Sequence, residues 1–163
     1  MATEIERKYL LLSEDWRSNI VKQAKMVQGY LESNEAISIR IRTEGESANI
    51  NIKSGTLGIS RTEYEYSIPL SDATEMLDKM CARPLIEKVR YWVDYQGFMW
   101  EVDIFDGENA GLVVAEIELN HEHQSFPMPD WVGQEVSMHK RYYNSLLMAH
   151  PYCRWSDDER NPG

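Results

Sequence analysis

Glu4-Ile5-Glu6-Arg7-Lys8 puts Glu4, Glu6 and Lys8 on one face of an extended chain, because successive side chains of a strand point to opposite sides. The same two-residue period returns in Arg40-Ile41-Arg42, Glu63-Tyr64-Glu65, Lys88-Val89-Arg90, Glu101-Val102-Asp103 and Glu116-Ile117-Glu118, with Lys53 following Ile52. Together these faces carry eight carboxylates and six cations. The alternate positions are apolar: Ile39 and Ile41, Ile50 and Ile52, Val102 and Ile104, Ile117 and Leu119. A period of two with unlike faces is the signature of strands.

The pattern predicts eight strands, over residues 3–11, 25–33, 36–44, 47–54, 60–68, 85–95, 98–106 and 112–120. Short connectors such as Ser33-Asn34, Glu44-Gly45-Glu46 and Gln96-Gly97 suit hairpins, so neighbours should be antiparallel. Three helices are expected. Residues 13–23 start at a capping Ser13 and space Trp16, Ile20 and Ala24 helically. Residues 71–80 put Ala73, Met76, Leu77 and Met80 on one face, and a third helix lies near 137–149. Residues 121–135, with Pro127 and Pro129, read as a loop. A chain of 163 residues suits one domain, taken as 1–150, with 151–163 a loosely held C-terminal extension.

Seventeen basic residues against 27 acidic ones leave a net charge of −10, which disfavours a general affinity for nucleic acid or an anionic membrane. No apolar run approaches a transmembrane span, and the N-terminus is charged from Glu4 onward, unlike a signal peptide. Cys81 and Cys153 form no framework or metal spacing, and a cytoplasmic, reducing setting is expected.

The decisive question is which strand face points inward. A charged face is usually the solvated one. Two features oppose that here. Each strand repeats one sign, and like charges on one face repel. Three amphipathic helices also need an apolar surface to cover, which outward-facing isoleucines and valines would supply. If those apolar faces point outward, the charged faces line the interior, and a closed barrel of about eight strands can enclose a small ligand. Carboxylates suit hard divalent cations, and Arg and Lys suit phosphate oxygens, so a metal-bound polyphosphate satisfies both sets.

These residues resemble the CYTH superfamily, the triphosphate tunnel metalloenzymes, whose ExExK signature matches Glu4 to Lys8. The match runs in order through Arg40-Ile41-Arg42, Ile52-Lys53, Glu63 and Glu65, Glu87-Lys88-Val89-Arg90, Glu101 and Asp103, and Glu116-Ile117-Glu118, to His139-Lys140-Arg141-Tyr142. The resemblance implies an all-β-dominated α+β fold, an eight-stranded antiparallel closed tunnel barrel with a charged lumen and a few helices packed outside, whose tunnel binds a triphosphate with Mg²⁺ or Mn²⁺, two ions in all. The resemblance to bacterial inorganic tripolyphosphatases implies metal-dependent hydrolysis of tripolyphosphate to pyrophosphate and phosphate. It implies Glu4, Glu6 and Glu118 as the main metal site, with Glu116 and Asp103 close by, and a second ion near Glu63 or Glu65. Lys8, Arg40, Arg42, Lys53, Lys88 and Arg90 would grip phosphate oxygens, and Lys140 would reach in from the C-terminal segment.

Each role has a plainer counterpart. Arg61 and Glu65 could pair on the surface. Glu101 could partner a tunnel arginine. Tyr30 reads as packed aromatic, and Arg7 lies on the face opposite Glu6 and Lys8. His121-Glu122-His123 reads as a solvated loop pair, and Gly55 to Gly58 lacks a P-loop ending. The competing functions are thiamine triphosphatase, nucleoside triphosphatase or class IV adenylyl cyclase; a non-enzymatic polyphosphate-binding module; and an apolar-ligand barrel with charged walls outside. The implied partner is a triphosphate-containing small molecule, and the apolar outer wall leaves room for a homodimer.

Overall fold

The computed structural model describes residues 3–55 and 58–162. Nine strands form one antiparallel sheet: β1 (Thr3–Leu11), β2 (Ile20–Ser33), β3 (Ile37–Glu44), β4 (Ser47–Ser54), β5 (Ser60–Ser67), β6 (Ile86–Tyr95), β7 (Phe98–Phe105), β8 (Val113–Glu118) and β9 (Val132–Glu135). The order is β5-β4-β3-β2-β6-β7-β8-β1-β9, and a further pairing of β5 with β1 closes eight of them into a barrel. β9 is the extra strand, paired with the far end of β1 through Tyr9 and Leu11. The helices are α1 (Leu70–Lys79), α2 (Asn144–Ala149) and α3 (Asp157–Arg160).

The apolar strand faces do point outward. Ile41 and Ala48 pack under Ala73 and Leu77 of α1. Gly29 permits a close approach here, since a Cβ on it would lie 2.7 Å from the Cβ of Cys81. On the other side of the barrel Val93, Trp100, Val102, Ala115 and Ile117 are covered by Trp16, Trp131 and Val132. The inward faces change character along their length. β1 reads Glu4, Glu6, Lys8 and then Leu10; β6, in reverse, Arg90, Lys88 and Ile86; β7 Glu101, Asp103 and Phe105; β8, in reverse, Glu118, Glu116 and Val114. Ile86, Phe105 and Val114 are buried with Leu147 of α2 and Trp155, and Leu10 packs against them. One end of the interior is therefore an apolar plug and the rest a charged lumen.

Four expectations change. Residues 13–23 are not a helix: Asp15–Asn19 form a short 3-10 turn, and β2 begins at Ile20. Trp16 satisfies its apolar surface on the barrel wall, while Ile20 to Gln28 find partners on β6, which no helix could give them. The helix near 137–149 shrinks to Asn144–Ala149, because Tyr143 is extended (φ −68°, ψ 133°) after a 3-10 turn at Lys140–Tyr142. The loop at 121–135 contains β9. The extension after residue 150 is pinned rather than loose: Trp155 is 5% exposed and meets Tyr142 edge-on at 5.0 Å. Ser156 and Glu159 add a reciprocal capping box at the start of α3. The helix expected at 71–80 is α1, one residue earlier.

Candidate functional site

Alternation in seven strands brings the charged residues into one lumen of about 260 Å³. Its wall includes Glu4, Glu6, Lys8, Arg40, Arg42, Lys53, Glu63, Glu65, Lys88, Arg90, Glu101, Glu116 and Glu118. Register explains the mixing of signs: Lys8 stands opposite Glu116, Lys53 opposite Glu63, Arg90 opposite Asp103, and Glu4 opposite Arg61.

Most cations already have a carboxylate. Lys53 Nζ lies 3.0 Å from Glu4 and 3.3 Å from Glu63. Lys8 Nζ lies 3.4 Å from Glu116 and donates to the carbonyl of Tyr142 at 3.0 Å. Lys88 Nζ donates to Asp103 at 2.8 Å. Arg90 reaches Asp103 with two donors and contacts Glu101 as well. Arg40 and Arg42 differ. Neither makes an ion pair among the described residues, and the Nε of each is buried with no hydrogen-bond partner. Burial, with Arg40 and Arg90 nearby, holds the Arg42 guanidinium down at about 10.

The carboxylates divide in two. The cations around Asp103 and Glu116 overcome burial and hold both well below the usual carboxylate range. Burial pushes Glu6 up to about 7, with Glu116 and Glu4 adding repulsion. Glu101 is also raised to about 7, chiefly by burial. Glu4 and Glu118 are raised for the same first reason.

Two expected site residues stand elsewhere. Asp103 is 0% exposed and lies behind the lumen wall, both oxygens taken by Lys88 and Arg90, so it braces cations instead of facing a ligand. Lys140 is exposed and lines an adjoining recess with Arg61 and Tyr143. The C-terminal segment does enter the lumen, but through Tyr143, Asn144 and Ser145. Arg61 also faces the lumen, 4.0 Å from Glu4 and over the Tyr143 ring, rather than pairing with Glu65 on the surface. The signal for this was present, since Arg61 shares the parity of Glu63 and Glu65 and so the same face of β5. Tyr30 is buried in the apolar plug and also lines the lumen, and Arg7 pairs with Glu135 outside. Among the described residues no three acidic, histidine or cysteine side chains are gathered so as to hold a metal ion; Glu4 is engaged by Lys53 and Glu116 by Lys8.

The profile of the CYTH domain matches residues 2–147. An inorganic triphosphatase of Acetivibrio thermocellus is 44% identical over 157 residues, covering 96% of this chain and all of that protein. An inorganic triphosphatase of Nitrosomonas europaea is 35% identical over 149 residues, covering 89% of this chain and 96% of that protein. The crystal structure of an inorganic triphosphatase superposes with a TM-score of 0.64 at 33% identity, covering 91% of this chain and 95% of that one. A Pyrococcus furiosus protein at 19% identity and a TM-score of 0.58, covering 74% of this chain and 80% of that one, shares the fold alone.

Proposed function

The chain belongs to the CYTH domain family, and from that membership we propose that it hydrolyses inorganic tripolyphosphate to pyrophosphate and phosphate with divalent cations. The observation that carries this reading is the pair Arg40 and Arg42, which line the lumen with no ion pair among the described residues and with each Nε buried and unpartnered. Buried cations without partners are costly, and a multiply charged phosphate chain relieves both at once.

Lys8, Arg40, Arg42, Lys53, Lys88 and Arg90 would grip the phosphate oxygens from four strands, with Lys140 acting at the rim. Lys88 and Arg90 are pre-organised by Asp103, so they neutralise charge developing on the leaving pyrophosphate without rearranging. Phosphoryl transfer to water needs positioning and neutralisation and no side-chain nucleophile.

Glu4, Glu6 and Glu118 fit a hard divalent cation in donor chemistry. Burial raises the pKa values of all three, so a bound divalent cation would favour their ionised forms. We assign them the main ion, Glu116 a supporting place, and Glu63 and Glu65 a second ion. Bound there, Mg²⁺ or Mn²⁺ supplies Lewis-acid neutralisation of phosphate charge. A cytoplasmic setting is supported by the free cysteines Cys81 and Cys153. No helix among the described residues is long and apolar enough to cross a membrane.

The test is phosphate release from tripolyphosphate, ATP and thiamine triphosphate, each with Mg²⁺, Mn²⁺ or chelator. Metal-dependent release that is fastest from tripolyphosphate is expected. Tight tripolyphosphate binding with no release from any substrate would replace the enzyme by a polyphosphate-binding module.

A further inference from the structure

Lys88 carries three N–H donors on a flexible stem, and one anchor does not fix where the third points. Asp103 takes one donor at 2.8 Å. Asn144 Oδ1 takes another at 3.1 Å. The ammonium can only donate, so Asn144 must turn its carbonyl oxygen toward it. The same oxygen accepts Gln28 Nε2 at 3.0 Å. Gln28 is 0% exposed and its Oε1 has no partner, so the direction of its amide is set by this chain of bonds rather than by a rival donor. The polarity of both amides thus traces back to the Lys88 charge.

The two anchors come from different parts of the fold. Asp103 belongs to β7, next to Lys88 in the barrel. Asn144 opens α2, whose Leu147 is 0% exposed in the apolar plug. Lys88 and Asn144 both line the lumen. Arg90 needs no anchor from α2, because its planar fork is fixed by two bonds to Asp103 and a contact with Glu101, both on β7.

We infer that Asn144 is a positioning residue for Lys88: its carbonyl oxygen, carried by α2, sets the direction in which the lysine's free N–H meets a phosphate oxygen. This inference rests on the triphosphatase reading above.

The experiment is a double-mutant cycle on tripolyphosphate hydrolysis with Asn144→Ala, Lys88→Ala and both together, melting temperatures being followed throughout. Asn144→Ala is expected to lower kcat/KM roughly ten- to hundredfold, the range of a hydrogen bond to a charged group. In the Lys88→Ala background the same change is expected to cost less than about twofold, since its target is gone. If Lys88→Ala leaves no turnover, the cycle is read from the Kd of tripolyphosphate in chelator. Asn144→Asp, which keeps an acceptor oxygen, is expected to hold kcat within about threefold of the wild type while raising KM through its negative charge. An equal loss in both backgrounds, no loss in the wild-type background, or a kcat for Asn144→Asp as low as that of Asn144→Ala overturns the inference. A wild-type protein that neither binds nor hydrolyses tripolyphosphate overturns instead the reading on which it rests.

Discussion

Arg90 holds Asp103 with two parallel donations, Nε to Oδ1 at 2.8 Å and Nη2 to Oδ2 at 2.9 Å, while Lys88 shares the second oxygen. One buried carboxylate thus braces two buried cations, with Glu101 and Glu116 also facing Arg90. Replacing both sides of such a cluster with apolar groups is often harmless, but removing one side is not. Asp103→Asn is expected to cost about 3–5 kcal/mol of stability, read by urea unfolding, and most of the turnover. A loss below about 1 kcal/mol would show that the cations find another partner.

The raised carboxylates set a pH dependence of definite sign. Glu101 titrates near 7 in the fold against 4.5 in a free chain, and Glu6 shifts the same way. Between those values the folded state holds protons that the unfolded chain has released. Stability therefore falls as pH rises through this window, by at most about 1.4 kcal/mol per pH unit for each group. Asp103 and Glu116, shifted down, contribute stability that is lost only below the usual carboxylate range. Urea midpoints of metal-free protein are expected to drop from pH 5 to pH 8, and Glu101→Gln is expected to flatten the drop. Midpoints that climb across that range would refute the assignment.

Arg42 separates stability from function. Its side chain is half-buried, its Nε has no hydrogen-bond partner and it makes no ion pair among the described residues, so an isosteric apolar residue removes a cost. Arg42→Met is expected to leave the melting temperature unchanged or raise stability by about 1 kcal/mol, while tripolyphosphate turnover falls about a hundredfold. A melting temperature several degrees lower would mean that Arg42 holds the empty barrel together.

Glu4 and Glu6 test the division of labour between the two signs. Glu4→Gln with Glu6→Gln is expected to abolish metal-dependent release and to leave tripolyphosphate binding in chelator intact or tighter, since two negative charges leave the lumen. Turnover and binding both unchanged would make the charged faces a mere wall.

Trp155 tests the last part of the chain. It packs on Tyr142 and donates from Nε1 to the carbonyl of His150 at 3.0 Å. Trp155→Ala is expected to destabilise the fold by about 3–5 kcal/mol in thermal or urea unfolding. A change within about 0.5 kcal/mol would mark the tail as an ornament on the barrel.

The strand faces were legible because a period of two leaves little freedom: once Ile39 and Ile41 face out, Arg40 and Arg42 must face in. The repetition of one sign within a strand then identified the lumen. What escaped was whatever depends on a partner far along the chain. Trp16, Ile20 and Ala24 satisfy a helical spacing as well as they satisfy the wall of β6, and only pairing with β6 decides between them. β9 is four residues long and exists because β1 offers it an edge. Asp103 has the same parity as Glu101, and alternation says nothing about depth: Lys88 and Arg90 close over Asp103 and leave Glu101 at the lumen. Asn144 carries no charge and sits beyond the His139-Lys140-Arg141-Tyr142 element, so nothing in its residue type marked it out.

The ladder joining β1 to β5 rests on three residue pairs, Thr3 to Ile5 against Ser60 to Thr62, whereas β6 and β7 share eight. The hydrogen-bonded girdle around the lumen therefore has a clasp, and the clasp contains Glu4 opposite Arg61. Ladders this short open at low free energy, so amide exchange should start there while β6 and β7 are still protected. A polyphosphate chain threading the lumen would bridge both sides of the clasp through Lys8 on β1 and Arg61 on β5, making the occupied barrel slower to breathe than the empty one.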